Sequence, residues 1–267
     1  MTVFQAFVLG IVQGLSEFLP ISSSAHLLLT RYLLGWAEPG VAFDVALHIG
    51  TLVAVLWYFR REWLEMLLAV GRLIRQRGAR TPVERRALFL VLATIPAGAA
   101  GFALADVADV YLRDPLVTSV TLIVFGVVLW LVDRFASKAR TLESMRWTDA
   151  LAVGVAQTLA FVPGVSRSGA TMTAGRGLGF DRSAAAVFSF LLSMPIIAAA
   201  ALRKAPEALA SAGSGAPLIV GILAAAVSGW VAIAVLLRLV TTRGYGPFAA
   251  YRILLAVAVI GTALARG

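Results

Sequence analysis

The sequence predicts an all-α polytopic membrane protein with six transmembrane helices and two re-entrant helix-turn-helix hairpins, arranged in two inverted-topology repeats. Three observations predict this fold. Of the 267 residues, 60% are hydrophobic and only 14% are charged, whereas a soluble domain carries about 25% charged residues. Six apolar stretches are close to the roughly 20 residues that a helix needs to span a bilayer. Two further apolar stretches are interrupted near their middle and resemble each other.

Composition also excludes several classes of protein. So high an apolar content excludes an intrinsically disordered chain. The absence of cysteine excludes a disulfide framework, a cysteine-based metal site and a cysteine nucleophile. The net charge of +9, from 23 Lys and Arg against 14 Asp and Glu, is typical of cationic cytoplasmic loops, so no nucleic-acid partner is expected.

The six predicted spans are, in order, residues 43–59, 87–105, 115–133, 184–202, 216–237 and 248–265. The segment 60–86 contains eight arginines and 134–147 contains four cations, whereas 106–114 has one arginine and three aspartates. Because cytoplasmic loops are enriched in Lys and Arg, the first two segments are predicted to be inside and the third outside. Part of 62–77 is amphipathic and is predicted to lie at the cytoplasmic surface.

The two interrupted stretches, 4–34 and 149–179, are predicted to be re-entrant hairpins. Pro20 and Pro163 break them, and serines follow each proline. Such breaks at membrane depth are tolerated only where protein or a water-filled cavity surrounds them.

Residues 6–24 (AFVLGIVQGLSEFLPISSS) align without a gap to residues 150–168 (ALAVGVAQTLAFVPGVSRS), at an offset of 150 minus 6, or 144 positions. A single integral membrane domain is therefore predicted, with repeat 1 at about 1–135 and repeat 2 at about 148–267. An odd number of spans in each half inverts the second copy, as in many transporters. Chance similarity between two Gly/Ser-rich turns is the alternative.

The first hairpin carries the motif Gln13-x-x-x-Glu17-x-x-Pro20-x-Ser22-Ser23-Ser24-x-His26. Gln13 and Glu17 share one helix face, and Ser22 is predicted to cap the next helix. A capped helix start presents free N–H groups to an anion. An intramembrane carboxylate is costly and points to function, so Glu17, His26 and the serines suit nucleophilic or general-base attack on phosphorus.

The second hairpin carries Pro163-Gly164-Val165-Ser166-Arg167-Ser168-Gly169-Ala170-Thr171. Ser166 is predicted to cap, Gly169 permits close backbone approach, and Arg167 offers a donor fork suited to phosphate oxygens. An inverted repeat would bring both turns together around an anion, an arrangement suited to phosphoryl transfer. The plainer alternatives are that the serines only cap, that His26 only satisfies a carbonyl and that Arg167 only braces the fold.

With both motifs in this order, the sequence resembles the bacterial undecaprenyl-diphosphate phosphatases, also called bacitracin-resistance proteins. The resemblance spans essentially the whole chain, with a weaker echo in Phe188–Pro195 and in Pro247–Arg252. It implies removal of the terminal phosphate of undecaprenyl diphosphate, a polyprenyl lipid carrier recycled for cell-wall synthesis, and hence bacitracin resistance. It also implies a homodimer in the bacterial cytoplasmic membrane, with membrane lipids around it, an active site open toward the outer face, and a divalent cation (Mg²⁺ or Ca²⁺) as cofactor.

Carried over by motif, the resemblance assigns roles to individual residues. The catalytic positions are Glu17, Ser23, His26 and Arg167, and the diphosphate-binding positions are Ser22, Ser24, Ser166, Ser168, Gly169 and Thr171. Glu17 is the candidate metal ligand, with Gln13 behind it. Gln13 stands where other members carry Glu, which puts a direct metal role in doubt, and His48 stands where Gln is expected, so its role is open.

Two rival readings remain. In the first, the nucleophile is either Ser23, with Glu17 or His26 taking the proton, or a water, with His26 as the base. A transporter or flippase for a lipid phosphate also uses inverted repeats and broken helices, but binding alone does not require a cluster of Ser, His and Glu beside an Arg.

Overall fold

The computed structural model describes residues 1–38, 40–76, 78–111, 114–211 and 215–266, without the side chains at 41–42, 104–111, 204–211 and 266. Two loop cations on which the predicted orientation partly rests, Arg77 and Arg113, lie outside the described residues. The described chain forms eleven α-helices and no strand: α1 Val3–Phe18, α2 Ser23–Leu34, α3 Val41–Tyr58, α4 Arg60–Gln76, α5 Pro82–Tyr111, α6 Pro115–Phe135, α7 Trp147–Gln157, α8 Arg167–Gly177, α9 Arg182–Ser211, α10 Ala216–Thr242 and α11 Gly246–Arg266.

The prediction of an all-α multi-pass membrane protein is confirmed. Five of the described helices, α5, α6, α9, α10 and α11, are long and apolar enough to cross a bilayer. A sixth candidate is the pair α3 and α4, which is bent by 83° at the intervening residue. Each predicted span coincides with one of these helices, and the six-span count holds when α3 provides the sixth.

The bend between α3 and α4 follows a change in the sequence. The apolar run of α3 ends at Tyr58, and α4 begins with Arg60 and Arg61. The apolar face of α4 is uncovered, with exposed Leu64, Leu67, Leu68 and Ile74. A helix with an uncovered apolar face beside several arginines is typical of one lying in a membrane interface, as predicted for this stretch.

Both predicted hairpins are present and have the same local geometry at their breaks. The α1–α2 pair turns at Ser22 with φ 75°, and the α7–α8 pair turns at Ser166 with φ 74°; these are the non-glycine residues of positive φ in the described chain. L-residues rarely adopt this conformation. Each serine hydroxyl accepts a bond from the backbone N–H three residues on, Ala25 or Gly169, so both predicted helix caps are confirmed.

Small residues bring each hairpin against a transmembrane span. A Cβ at Gly10 of α1 would lie 2.4 Å from the carbonyl oxygen of Gly221 in α10. A Cβ at Gly154 of α7 would lie 2.3 Å from the carbonyl oxygen of Ala93 in α5. Gly10 and Gly154 are equivalent in the repeat alignment, so the two halves use the same glycine position for a close helix crossing.

Candidate active site

The tips of the two hairpins meet at a cavity of about 200 Å³. Its described lining residues include polar groups from both turns and apolar groups from α5, α9 and the 3-10 turn Thr158–Phe161: Glu17, Ser22, Ser23, Ser24, His48, Ala97, Gln157, Ala160, Phe161, Ser166, Arg167, Ile196, Ile197 and Ala200. One part of the wall can therefore hold a charged group, and the other can pack against hydrocarbon.

Glu17, at the end of α1, is the centre of the polar wall and is only 6% exposed. Its Oε1 accepts a hydrogen bond from Arg167 Nη2 at 2.7 Å, which joins the two hairpins across 150 positions of sequence. Its Oε2 accepts bonds from Ser23 Oγ at 2.5 Å and from Gln13 Nε2 at 3.0 Å. A buried carboxylate is costly unless it is paired, and Arg167 supplies that pairing for Glu17.

The remaining serines and Thr171 brace the turns. Ser22 and Ser24 are joined through their hydroxyls at 3.2 Å, as Ser166 and Ser168 are at 3.1 Å. Ser168 also donates to the carbonyl of Leu19 in the opposite turn at 3.0 Å. Ser24 is exposed, whereas Ser168, Gly169 and Thr171 are buried and are not among the described lining residues.

Thr171 bonds to the hydroxyl of Ser189 in α9 at 2.7 Å. The first N–H groups of a helix have no partner within the helix, and the residues at which α2 and α8 begin, Ser23 and Arg167, both line the cavity.

His26 lies on α2 behind the turn. Its Nδ1 is 2.7 Å from the Ser22 carbonyl oxygen and its Nε2 is 2.9 Å from the hydroxyl of Tyr251. Its ring is stacked on that of Tyr251, with centroids 5.5 Å apart. Both ring nitrogens are thus engaged by protein groups, and His26 is not among the described lining residues. In this arrangement, its imidazole fixes the turn that carries Ser22 and Ser23.

Sequence reasoning missed Arg252, which is fully buried in α11. Its guanidinium donates to the carbonyl of Pro20 in the first turn at 3.3 Å, to Gly164 in the second at 2.7 Å, and to Leu122 in α6 at 3.1 Å. An arginine inside a predicted span is a signal of function in its own right, and that signal was present in the segment 248–265. Arg252 fixes the two turns relative to each other.

His48, whose role the sequence left open, reaches the site. Its Nε2 lies 3.5 Å from Glu17 Oε2, and its side chain is 31% exposed in the cavity wall. His48 lies four residues after Asp44 in α3. A hydrogen bond of 2.7 Å between His48 Nδ1 and the Asp44 carbonyl oxygen fixes the orientation of the imidazole ring. Only the packing of α3 against the hairpins, which the sequence does not specify, brings it to Glu17.

The side chains around the cavity indicate how the predicted divalent cation could be held. Within the described residues, no three His, Cys, Asp or Glu side chains gather to hold a metal, and Glu17 is the only carboxylate among the described lining residues. Mg²⁺ commonly binds through one or two carboxylates together with substrate phosphates and waters. These residues therefore fit a cation held mainly by a bound diphosphate, with Glu17 as the protein ligand, and not one held by the protein alone.

Comparison with known proteins identifies the family to which the chain belongs. A family model described as bacitracin resistance protein BacA matches residues 6–258. The chain belongs to this family. Three curated relatives to which the chain is similar are each named undecaprenyl-diphosphatase. The protein of Gemmatimonas aurantiaca is 56% identical and that of Desulforudis audaxviator 46%, each over 100% of both chains. The protein of Pelotomaculum thermopropionicum is 44% identical over 100% of this chain and 98% of its own.

Proposed function

We propose that this BacA-family chain is an undecaprenyl-diphosphate phosphatase: it hydrolyses undecaprenyl diphosphate to undecaprenyl phosphate and inorganic phosphate, and thereby confers bacitracin resistance. Relatives of up to 56% identity bear the name undecaprenyl-diphosphatase. The single observation that carries the chemistry is the bond of 2.5 Å from Ser23 Oγ to Glu17 Oε2 in a cavity that also holds Arg167. A hydroxyl hydrogen-bonded to a carboxylate is the arrangement of an activated nucleophile.

The proposed reaction has two displacements at the terminal phosphorus. Ser23 Oγ attacks this phosphorus while its proton passes to Glu17, and the bond from phosphorus to the bridging oxygen breaks. Undecaprenyl phosphate leaves with the electron pair of that bond. Glu17 gives this first proton to the leaving undecaprenyl phosphate and is again a carboxylate. Water then attacks the phosphoserine, and the bond from phosphorus to Ser23 Oγ breaks. Glu17 takes the proton of the water and returns it to Ser23 Oγ, so that inorganic phosphate and free Ser23 result. Attack by water activated at Glu17, with no phosphoserine, is the alternative.

Charge neutralisation is assigned to groups on both turns. Arg167, whose Nη1 also reaches the Ser189 carbonyl at 3.4 Å, is held in place and can direct its remaining donors to phosphate oxygens. The helix starts at Ser23 and Arg167 add backbone N–H groups. Glu17, together with the diphosphate, would hold a divalent cation, which would supply further charge neutralisation. In this scheme His26 and Tyr251 keep the first turn in position.

The cavity's position supports access from the outer face of the cytoplasmic membrane. Ala97 and Ala200, which line it, lie past the middle of α5 and α9, toward the ends at Tyr111 and Ser211. Those ends lead to the segments predicted to be outside, whereas the arginine-rich start of α5 is predicted to be inside. The apolar wall formed by Phe161, Ile196 and Ala200 suits the first isoprene units of the lipid.

The test uses the purified full-length chain in detergent. Phosphate release from undecaprenyl diphosphate is expected from the wild type and from Ser16→Ala, because Ser16 bonds only to the carbonyl of Val12 within α1. Ser23→Ala is expected to be strongly impaired. The absence of phosphate release by the wild type, together with movement of the lipid across vesicle membranes, would instead favour a flippase. Full activity in Ser23→Ala would refute the covalent route and leave the water route.

A further inference from the structure

Gln157, the last residue of α7, is buried in the cavity wall without a partner. The residue is 2% exposed and lines the cavity beside Glu17 and Arg167. Within the described part of the chain, neither its Oε1 nor its Nε2 has a hydrogen-bond partner, although both atoms are shielded from solvent. Buried polar atoms are nearly always hydrogen-bonded, and one left without a partner costs stability. An amide with both ends unsatisfied next to a polar cavity indicates a group that is bound only when ligand is present.

The internal repeat shows why this amide is free. Gln157 is equivalent to Gln13, and the amide of Gln13 donates to Glu17 four residues on, at 3.0 Å. The residue equivalent to Glu17 in the second hairpin is Phe161. The second hairpin therefore keeps the amide and has an aromatic side chain in place of the acid, so that the amide of Gln157 has lost its intramolecular acceptor.

The environment of Gln157 selects an anionic ligand. The same cavity is lined by Arg167, by the capping serines of both helix starts, and by one carboxylate among the described lining residues, which Arg167 already pairs. A second carboxylate at position 157 would repel an anion, whereas an amide N–H can donate to one without adding negative charge. The neighbours Ala160 and Phe161 are apolar and offer the amide nothing to bond to.

We propose that Gln157 is a substrate-binding residue, whose Nε2 donates a hydrogen bond to a phosphoryl oxygen of the bound prenyl diphosphate. This inference rests on the proposed function and deepens it, since it adds to Arg167 a second side-chain donor from the second repeat for the diphosphate. The amide oxygen then accepts from a phosphate hydroxyl or from a water in the filled cavity. Either phosphate of the diphosphate satisfies this chemistry.

Three variants test the proposal: Gln157→Leu and Gln157→Met remove the polar atoms at similar volume, and Gln157→Glu replaces the donor by an acceptor. The control is Thr158→Val, because the Thr158 hydroxyl donates to the Val155 carbonyl in the last turn of α7 and Thr158 is not among the described lining residues of the cavity. Since the wild-type amide is unsatisfied without ligand, the thermal unfolding temperature of ligand-free Leu and Met variants is expected to equal or exceed that of the wild type.

In the presence of substrate, the wild type is expected to perform better than the Leu and Met variants. Loss of one hydrogen bond to a charged group is expected to lower kcat/KM for undecaprenyl diphosphate about 10- to 100-fold in the Leu and Met variants. The Glu variant is expected to fall further, and the control to match the wild type. Wild-type kcat/KM in both apolar variants would overturn the proposal. So would a lowered ligand-free unfolding temperature in both, since the amide would then serve the fold.

A binding measurement distinguishes failure of the role proposed for Gln157 from failure of the proposed enzymatic function. The probe is a prenyl methylenediphosphonate, in which carbon replaces the bridging oxygen, so that no hydrolysis is needed. It is expected to raise the unfolding temperature of the wild type and of Thr158→Val, and to raise that of Gln157→Leu much less. Prenyl monophosphate and inorganic phosphate, as further probes, report which phosphate Gln157 contacts. If the wild type binds the analogue but releases no phosphate from undecaprenyl diphosphate, the proposed function is wrong. If Gln157→Leu binds the analogue as well as the wild type does, the role proposed for Gln157 is wrong.

Discussion

The contact between Glu17 and Ser23 predicts a specific pattern of non-additive losses. In the wild type, Arg167 Nη2 lies 2.7 Å from Glu17 Oε1. Glu17→Gln keeps the shape of the side chain and an oxygen that can accept this bond, but it cannot take a proton from Ser23. Ser23→Ala removes the hydroxyl and leaves the carboxylate with Arg167 and Gln13. Both variants are expected to fold, because each retains most of the hydrogen bonds around position 17.

The magnitude follows from the roles of the two groups. A positioned general base contributes about 10²- to 10⁴-fold to a rate, so each single variant is expected to lose about 10³-fold in kcat/KM, equivalent to about 4 kcal/mol. Groups that act as a unit are not additive. The double variant is therefore expected to lose about 10³-fold as well, whereas two independent groups would together lose about 10⁶-fold.

The assay is phosphate release from undecaprenyl diphosphate by wild type, both single variants and the double variant at equal concentrations of folded protein. Ser16→Ala, on the same helix but away from the cavity, serves as the matched control. Additive losses would refute the reasoning, because they would mean that Glu17 and Ser23 contribute separately. A Ser23→Ala variant with nearly wild-type kcat/KM would refute it as well.

Four further outcomes are expected. Arg167→Ala should raise KM and lower kcat/KM by 10²-fold or more, with Arg167→Lys only partly restoring it because a bidentate fork is lost; equal rates for Lys and Arg would contradict a fork-like contact. Arg252→Met should lower the unfolding temperature and abolish activity, because the carbonyls of Pro20 and Gly164 lose their donor; an active, stable variant would contradict its role. Gly154→Leu should prevent folding, as judged by aggregation on size-exclusion chromatography, because its Cβ would overlap Ala93. Chelation by EDTA should abolish phosphate release, and adding Mg²⁺ or Ca²⁺ should restore it. Undiminished activity in EDTA would contradict the proposed need for a divalent cation.

The sequence was sufficient to predict the spans and the hairpins because each leaves a local signal. A bilayer demands long apolar runs, and these became α5, α6, α9, α10 and α11. A proline followed by serines at membrane depth predicts a break with a capped restart, and Ser22 and Ser166 have that role. The meeting of the two turns followed from the inverted repeat, and the structure pairs Glu17 with Arg167.

The rest of the site depends on packing that no local signal specifies. Arg252 reaches the Pro20 carbonyl across 232 positions, and His26 meets Tyr251 across 225. The approach of His48 to Glu17 depends on the position of α3 beside the first hairpin. The spacing of His26 from Ser22 predicts that the two residues share a helix face, but spacing cannot show that Tyr251 engages the other ring nitrogen.

The central claim is that Ser23 forms a covalent phosphoserine while Glu17 takes its proton. The most direct measurement is a rapid acid quench of the wild type during turnover of undecaprenyl diphosphate labelled in the terminal phosphate, followed by peptide mapping. If Ser23 is the nucleophile, transient label is expected on the peptide that contains Ser23, at a level that rises before steady-state phosphate release, and none is expected in Ser23→Ala. Label found only in inorganic phosphate at every quench time, with unlabelled Ser23 peptide, would contradict it.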